Sequence, residues 1–134
     1  MKQAEFAFPG PLRDQLVSAI LTGAKTSTSS LLIEYQLTGE ELSKVGERHV
    51  VVDSAGHGVA IIETSEVRQL LLSEIDLQHA VDEGEGYSSV AEWRRGHEEY
   101  WHSWEMRDYL NDPGFTVNDA TIVIAERFRL LERI

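Results

Sequence analysis

The sequence predicts a mixed α+β domain built on a small, curled antiparallel sheet with helices beside it. Three observations carry this. Helix-period apolar positions occur near both ends of the chain, at Leu12, Leu16, Val17, Ile20 and Leu21 and again at Trp93, His97, Tyr100, Trp101 and Trp104. Between them, His49–Asp53 and Val59–Thr64 are β-rich and joined by the glycine-tipped Ser54–Gly58 segment, the pattern of a hairpin. The chain then closes on a strand-like run over Ala120–Leu131. Helix, strands, helices, strand is the order of an α+β domain. The 134 residues suit one domain spanning 1–134, with residues 1–10 expected as an irregular lead-in.

Taken in order, the first helix opens at Pro11, a residue favoured at a first helical position, and Gly23 suits its C-terminal cap. A strand is expected over Thr28–Tyr35, then turns at Thr38–Leu42 and Val45–Glu47. After the hairpin, Val67–Leu71 extends the sheet past a bend. Ser73 is placed to cap a short helix reaching Val81. Asp82–Tyr87 is an acidic glycine loop. Ser89 with Glu92 forms a capping-box pattern that opens the tryptophan-bearing helix, and Asn111–Gly114 ends it.

Composition narrows the function. A net charge of −11 argues against gripping long duplex nucleic acid, which needs clustered Lys and Arg to release counterions. A local basic groove stays open, since net charge does not fix the field at one cleft, and a small, weakly charged ligand such as a nucleoside suits the composition better than a duplex. Without cysteine there is no disulfide, thiolate nucleophile or cysteine zinc site. No signal peptide or membrane-length apolar run is visible, so a cytoplasmic protein without cofactor or metal is the expectation.

Chemistry concentrates at Gly23–Ser30, where Lys25 stands beside Thr26, Ser27, Thr28, Ser29 and Ser30. A desolvated lysine can take the proton of a neighbouring alcohol; equally, the hydroxyls can simply satisfy loop backbone. The acidic loop offers Glu83 and Glu85 for acid–base work, or as charge beside a helix N-terminus. Its spacing is not that of a calcium loop. His97 and His102, five apart, lie on different helix faces and do not form a zinc pair, so packing or capping accounts for them. Trp93 and its neighbours can stack a base or fill the core. Arg94 and Arg95 can meet phosphate or solvate a surface. No nucleophile elbow, phosphate loop or dinucleotide fingerprint is present.

Over roughly Leu12 to Leu130 the sequence resembles the ASCH domain family. The carrying residues are Gly23-x-Lys25-Thr26-x-Thr28, Lys44–Glu47, Ile62-Glu63-Thr64-x-Glu66-Val67, Glu83–Gly86 with Ser89, Trp93-Arg94-x-x-His97 and Glu126–Phe128. The resemblance implies a PUA-like fold, a small curled β-barrel with flanking helices around a cleft, and an association with RNA. It also implies three functional alternatives: an amidohydrolase removing the acetyl group of N4-acetylcytidine, a ribonuclease, or a non-catalytic RNA- or nucleotide-binding module. For the first, Lys25 and Thr28 take the lysine and threonine roles, and Glu83 or Glu85 the glutamate, with Glu85 preferred. Thr26, Ser29, Ser30, Trp93 and Arg94 are the accompanying ligand-binding candidates.

Overall fold

A computed structural model describes residues 1–134. Its five strands are β1 (Lys2–Ala4), β2 (Ser27–Leu31), β3 (Arg48–Val52), β4 (Gly58–Leu71) and β5 (Ile122–Arg133). They form one sheet in the order β1-β3-β4-β5-β2. The pairing is antiparallel except at β1, which lies parallel to β3. Register shifts interrupt β3 at Val51/Val52 and β4 at Ile61/Ile62 and Thr64/Glu66, and such irregularities bend and twist a sheet. The sheet curls until residues of its two edge strands, β1 and β2, line the same cavity.

Five helices surround it: α1 (Pro11–Thr22), α2 (Leu32–Thr38), α3 (Leu77–Asp82), α4 (Val90–Trp101) and α5 (Trp104–Tyr109). Helix α1 runs as the sequence predicts, from Pro11 to a left-handed Gly23 whose N–H returns to the Ile20 carbonyl. Its buried Leu16, Val17 and Ile20 join Phe6, Val51, Ile62 and Phe128 in one core. A second core gathers Trp93, Trp101, Met106 and Leu110 against Leu31 and Val123. Trp93 and Trp101 are each almost fully buried. Each removes on the order of 200 Å² from water, roughly 5 kcal/mol at 25 cal/mol per Å².

The structure departs from the sequence expectations at four places. The lead-in contains β1, too short to show a period. The expected strand over Thr28–Tyr35 stops at Leu31 and continues as α2, because the Glu34 carboxylate folds back onto the Leu31 N–H at 2.8 Å and starts a helical turn. Asp76, not Ser73, caps the short helix α3, accepting from the His79 N–H at 2.8 Å; Leu72–Glu74 is a 3-10 turn. The tryptophan helix breaks after Trp101, and Ser103 caps a new helix, α5, through the Met106 N–H. Trp104 therefore leaves the buried face and is 75% exposed.

Candidate functional site

Lys25 sits between α1 and β2 with its side chain only 1% exposed. Its amine donates to the carbonyls of Ser27 (2.8 Å) and Glu83 (3.3 Å) and lies 3.7 Å from Glu83 Oε1. Glu83 follows α3 and is equally buried. Gly84, in a left-handed conformation at φ 73°, lets the loop press against the backbone of Ala24 and Lys25. One Glu83 oxygen, Oε2, accepts from the Trp93 indole N–H (2.6 Å) and the Ser29 hydroxyl (2.7 Å). The other, Oε1, faces His97 Nε2 at 3.1 Å. His79 Nε2 lies 2.7 Å from Ser29 Oγ and 3.3 Å from Glu83 Oε2, while its Nδ1 has no partner. A proton on Nε2 satisfies this arrangement.

Burial alone would raise the pKa of Glu83. The charges and hydrogen bonds of His97, His79 and Lys25 outweigh it and hold the carboxyl well below its usual range. Burial would likewise lower His97, but Glu83 beside it and the Trp93 carbonyl at 2.9 Å leave it raised. As an imidazolium, His97 donates from both nitrogens and stacks on Trp93, the ring centroids 4.1 Å apart. Glu85 is different. It is half-buried and held up by burial; the nearby Lys25 lowers its pKa, but not enough to offset this, and Glu83 adds to the rise.

A cavity of about 490 Å³ opens onto this cluster, between β1 and β2 and beneath α4. Lys25, Thr28, Ser29, Ser30, Glu83 and Glu85 all line it. The Thr28 hydroxyl is not among the partners of the Lys25 amine. Ser30 is bonded to the Tyr35 hydroxyl at 2.8 Å. The remaining ligand-binding candidates lie elsewhere. Thr26 holds the loop through its backbone N–H, which donates to the Asp82 carbonyl at 2.7 Å. Arg94 bridges Glu98 (2.7 Å) and Asp119 (2.5 Å) away from the cavity. Trp93 is buried, donates to Glu83 and stacks on His97, so its ring is not open to a base. The sequence gives His79 no mark of a site residue, and helix geometry sends His97 to packing or capping. The spacing His79–Glu83, one helical turn, was the available signal.

Glu83, Glu85 and His97 bring their ligand atoms within 4.8 Å of one another, the set from which a metal site would be drawn. Lys25 and His97 already supply positive charge to the carboxylates, and Oε2 of Glu83 is committed to Trp93 and Ser29. The cluster is balanced by its own side chains.

Glu34 and Glu126 resemble Glu85: burial pushes both up, and Glu40 adds to each. A carboxyl raised in the folded state gains stability as pH falls through its folded value toward the unfolded one. The raised His97 contributes fully below its unfolded value and loses that contribution as pH rises through its folded value. Both signs favour mild acid. The melting temperature is expected to be higher at about pH 5.5 than at about pH 8, by roughly 3–6 °C or ~1 kcal/mol. Further acidification reverses the gain as the lowered Glu83, Glu63, Asp76 and Asp82 are protonated. Thermal unfolding across that range measures it, and a maximum at the alkaline end would contradict it.

Residues 5–132 match the family model of the ASCH domain. No functionally curated protein matches the sequence. Among solved structures, an ASCH domain from Lactobacillus crispatus gives a TM-score of 0.81 at 24% identity, covering 96% of this chain and 78% of its own. A protein from Enterococcus faecalis gives 0.76 at 22% identity, covering 89% and 68%. A mutant ASCH protein from Zymomonas mobilis gives 0.51 at 14%, covering 90% and 69%. At these identities the likeness carries the fold, which is the PUA-like one expected.

Proposed function

The chain belongs to the ASCH domain family, whose members are thought to bind RNA, and from that premise we propose that it hydrolyses an acyl amide on a nucleoside base, with N4-acetylcytidine as the test substrate. One observation carries the reading: a single cavity of nucleoside size gathers a buried lysine, an uncommitted threonine hydroxyl and two carboxylates in opposite electrostatic states. Glu83 is fixed as an anion by its partners and positions Lys25. Glu85, raised and unclamped, is the carboxyl suited to move a proton.

In this mechanism Lys25 passes a proton to Glu85, and the freed amine accepts the Thr28 proton as Oγ1 attacks the acyl carbon. Ligand entry brings the two groups together, as apo sites tighten on substrate. Strand pairing supplies an oxyanion donor. The Phe128 N–H bonds the Thr26 carbonyl, so Thr26, Thr28 and Ser30 direct their backbone toward β5. Ser29 turns its N–H to the open edge, one residue after the nucleophile. The tetrahedral adduct collapses, the C–N bond breaks and Glu85 protonates the departing amine. Water then cleaves the Thr28 ester and releases acetate. The setting for such a nucleoside hydrolase is cytoplasmic.

The expected result is release of cytidine by the wild type and a loss of 10³-fold or more, about 4 kcal/mol, in Thr28→Val. That substitution keeps the shape of the half-buried side chain and removes only the hydroxyl. Lys25→Met, checked for folding, is expected to match it. Turnover that survives in Thr28→Val would sink the covalent mechanism. No turnover by the wild type at high enzyme concentration would remove the amidohydrolase reading, leaving binding or cleavage of RNA as the alternatives.

A further inference from the structure

We propose that the cavity admits its ligand without a phosphate, and that Glu34, Glu40 and Glu126 enforce that choice. The inference deepens the nucleoside reading above and rests on it. Nine glutamates line the cavity: residues 5, 34, 40, 41, 47, 83, 85, 99 and 126, with no arginine among the lining residues. The basic side chains that line it lie beside carboxylates. Lys25 and His97 face Glu83, His49 lies 3.2 Å from Glu47, and Lys2 lies 4.0 Å from the same residue. Glu34, Glu40 and Glu126 have no cationic partner of this kind, and Glu126 Oε1 is buried without a hydrogen-bond partner.

Arg13 spends its guanidinium on the carbonyls of Phe6 and Ala7, and several arginines elsewhere are paired with carboxylates. Arg127 is held by Asp82, Arg129 by Glu63, Arg68 by Glu66 and Asp76, and Arg94 by Glu98 and Asp119. A phosphoryl group carried into the cavity would meet like charge in a partly desolvated space, where repulsion is poorly screened. A neutral ribose and base would meet hydroxyls and carboxylates able to accept their O–H and N–H groups. The wall therefore separates a nucleoside from its nucleotide without any contact to the base.

The test is calorimetric titration of the intact protein with cytidine and with cytidine 5′-monophosphate at low salt and about pH 8, on the alkaline side where the raised Glu34 and Glu126 carry charge. Wild type is expected to bind cytidine at least about ten-fold more tightly, ~1.4 kcal/mol. The preference should shrink several-fold in E34Q/E126Q, where the side-chain amide oxygen introduced at position 34 can still accept from the Leu31 N–H. It should also shrink with added salt, an arm that needs no variant. Equal or tighter monophosphate binding, or a preference unmoved by both charge removal and salt, overturns the inference. Binding of neither ligand overturns it together with the nucleoside reading. Cytidine has no acetyl group, so failure of the hydrolytic chemistry alone would leave its binding preference intact and appear only as absent turnover.

Discussion

Glu83→Ala is expected to cost about 3–5 kcal/mol of folding stability, the range found when one member of a buried ion pair is removed. Against the roughly 5–15 kcal/mol of a whole domain, that brings the protein near unfolding. The loss has identifiable parts. The Trp93 indole and the Ser29 hydroxyl lose their acceptor, and Lys25 and His97 lose their counter-charge, all in a site that water scarcely reaches. Lys25→Met should cost less, about 1–2 kcal/mol, because Glu83 keeps Trp93, Ser29 and His97 as partners. Urea unfolding of both single variants and of K25M/E83Q with E83Q measures the asymmetry and the coupling, expected at about 1–3 kcal/mol. A Glu83→Ala loss below about 1 kcal/mol would show that the anion is not the centre of this network.

That asymmetry also marks the limit of what the sequence discloses. Pro11 and Gly23 bracket α1, the glycine-tipped segment joins β3 to β4, and Ser89 caps α4 through the Glu92 N–H at 3.1 Å; each is a local rule obeyed locally. Lys25 and its hydroxyls, and the two loop carboxylates, are visible as chemistry-bearing clusters. What makes Glu83 and Glu85 unlike is not local. Glu83 ends one turn after His79, so it points inward to histidines and an indole brought from α3 and α4. Glu85, two residues on and past Gly84, faces the cavity half-exposed. Sequence treats the pair as equivalent, because the difference lies in which helices close around the loop. The same holds for α2: Leu31-Leu32-Ile33 has a strand's composition, and one carboxylate reaching back three residues turns it into a helix. Trp93 follows a helix-face pattern correctly into the core, yet nothing in that pattern shows its N–H holding a catalytic-site candidate in place.

Gly84→Ala is expected to be the most damaging change that removes no functional group. At φ 73° an added Cβ carries the left-handed penalty of about 1–2 kcal/mol. It would also stand 2.7 Å from the Ala24 carbonyl oxygen and 2.8 Å from Lys25 Cα, backbone atoms that cannot rotate aside. The loop must then move off the Ala24–Lys25 segment that precedes β2, and Glu83 moves with it, loosening its hold on Lys25. A total loss of about 3 kcal/mol or more follows, lowering the melting temperature by roughly 10 °C. Gly86 provides the control, since its φ of 86° is equally left-handed but an added Cβ meets nothing within 4 Å. Gly86→Ala should therefore cost only the conformational part, about 1 kcal/mol. Thermal unfolding of the two variants separates strain from collision. Equal losses would mean that the close approach of Gly84 to Lys25 does not hold the site together, and a gap of about 2 kcal/mol would assign to that single contact the juxtaposition of amine and carboxylate on which the proposed chemistry depends.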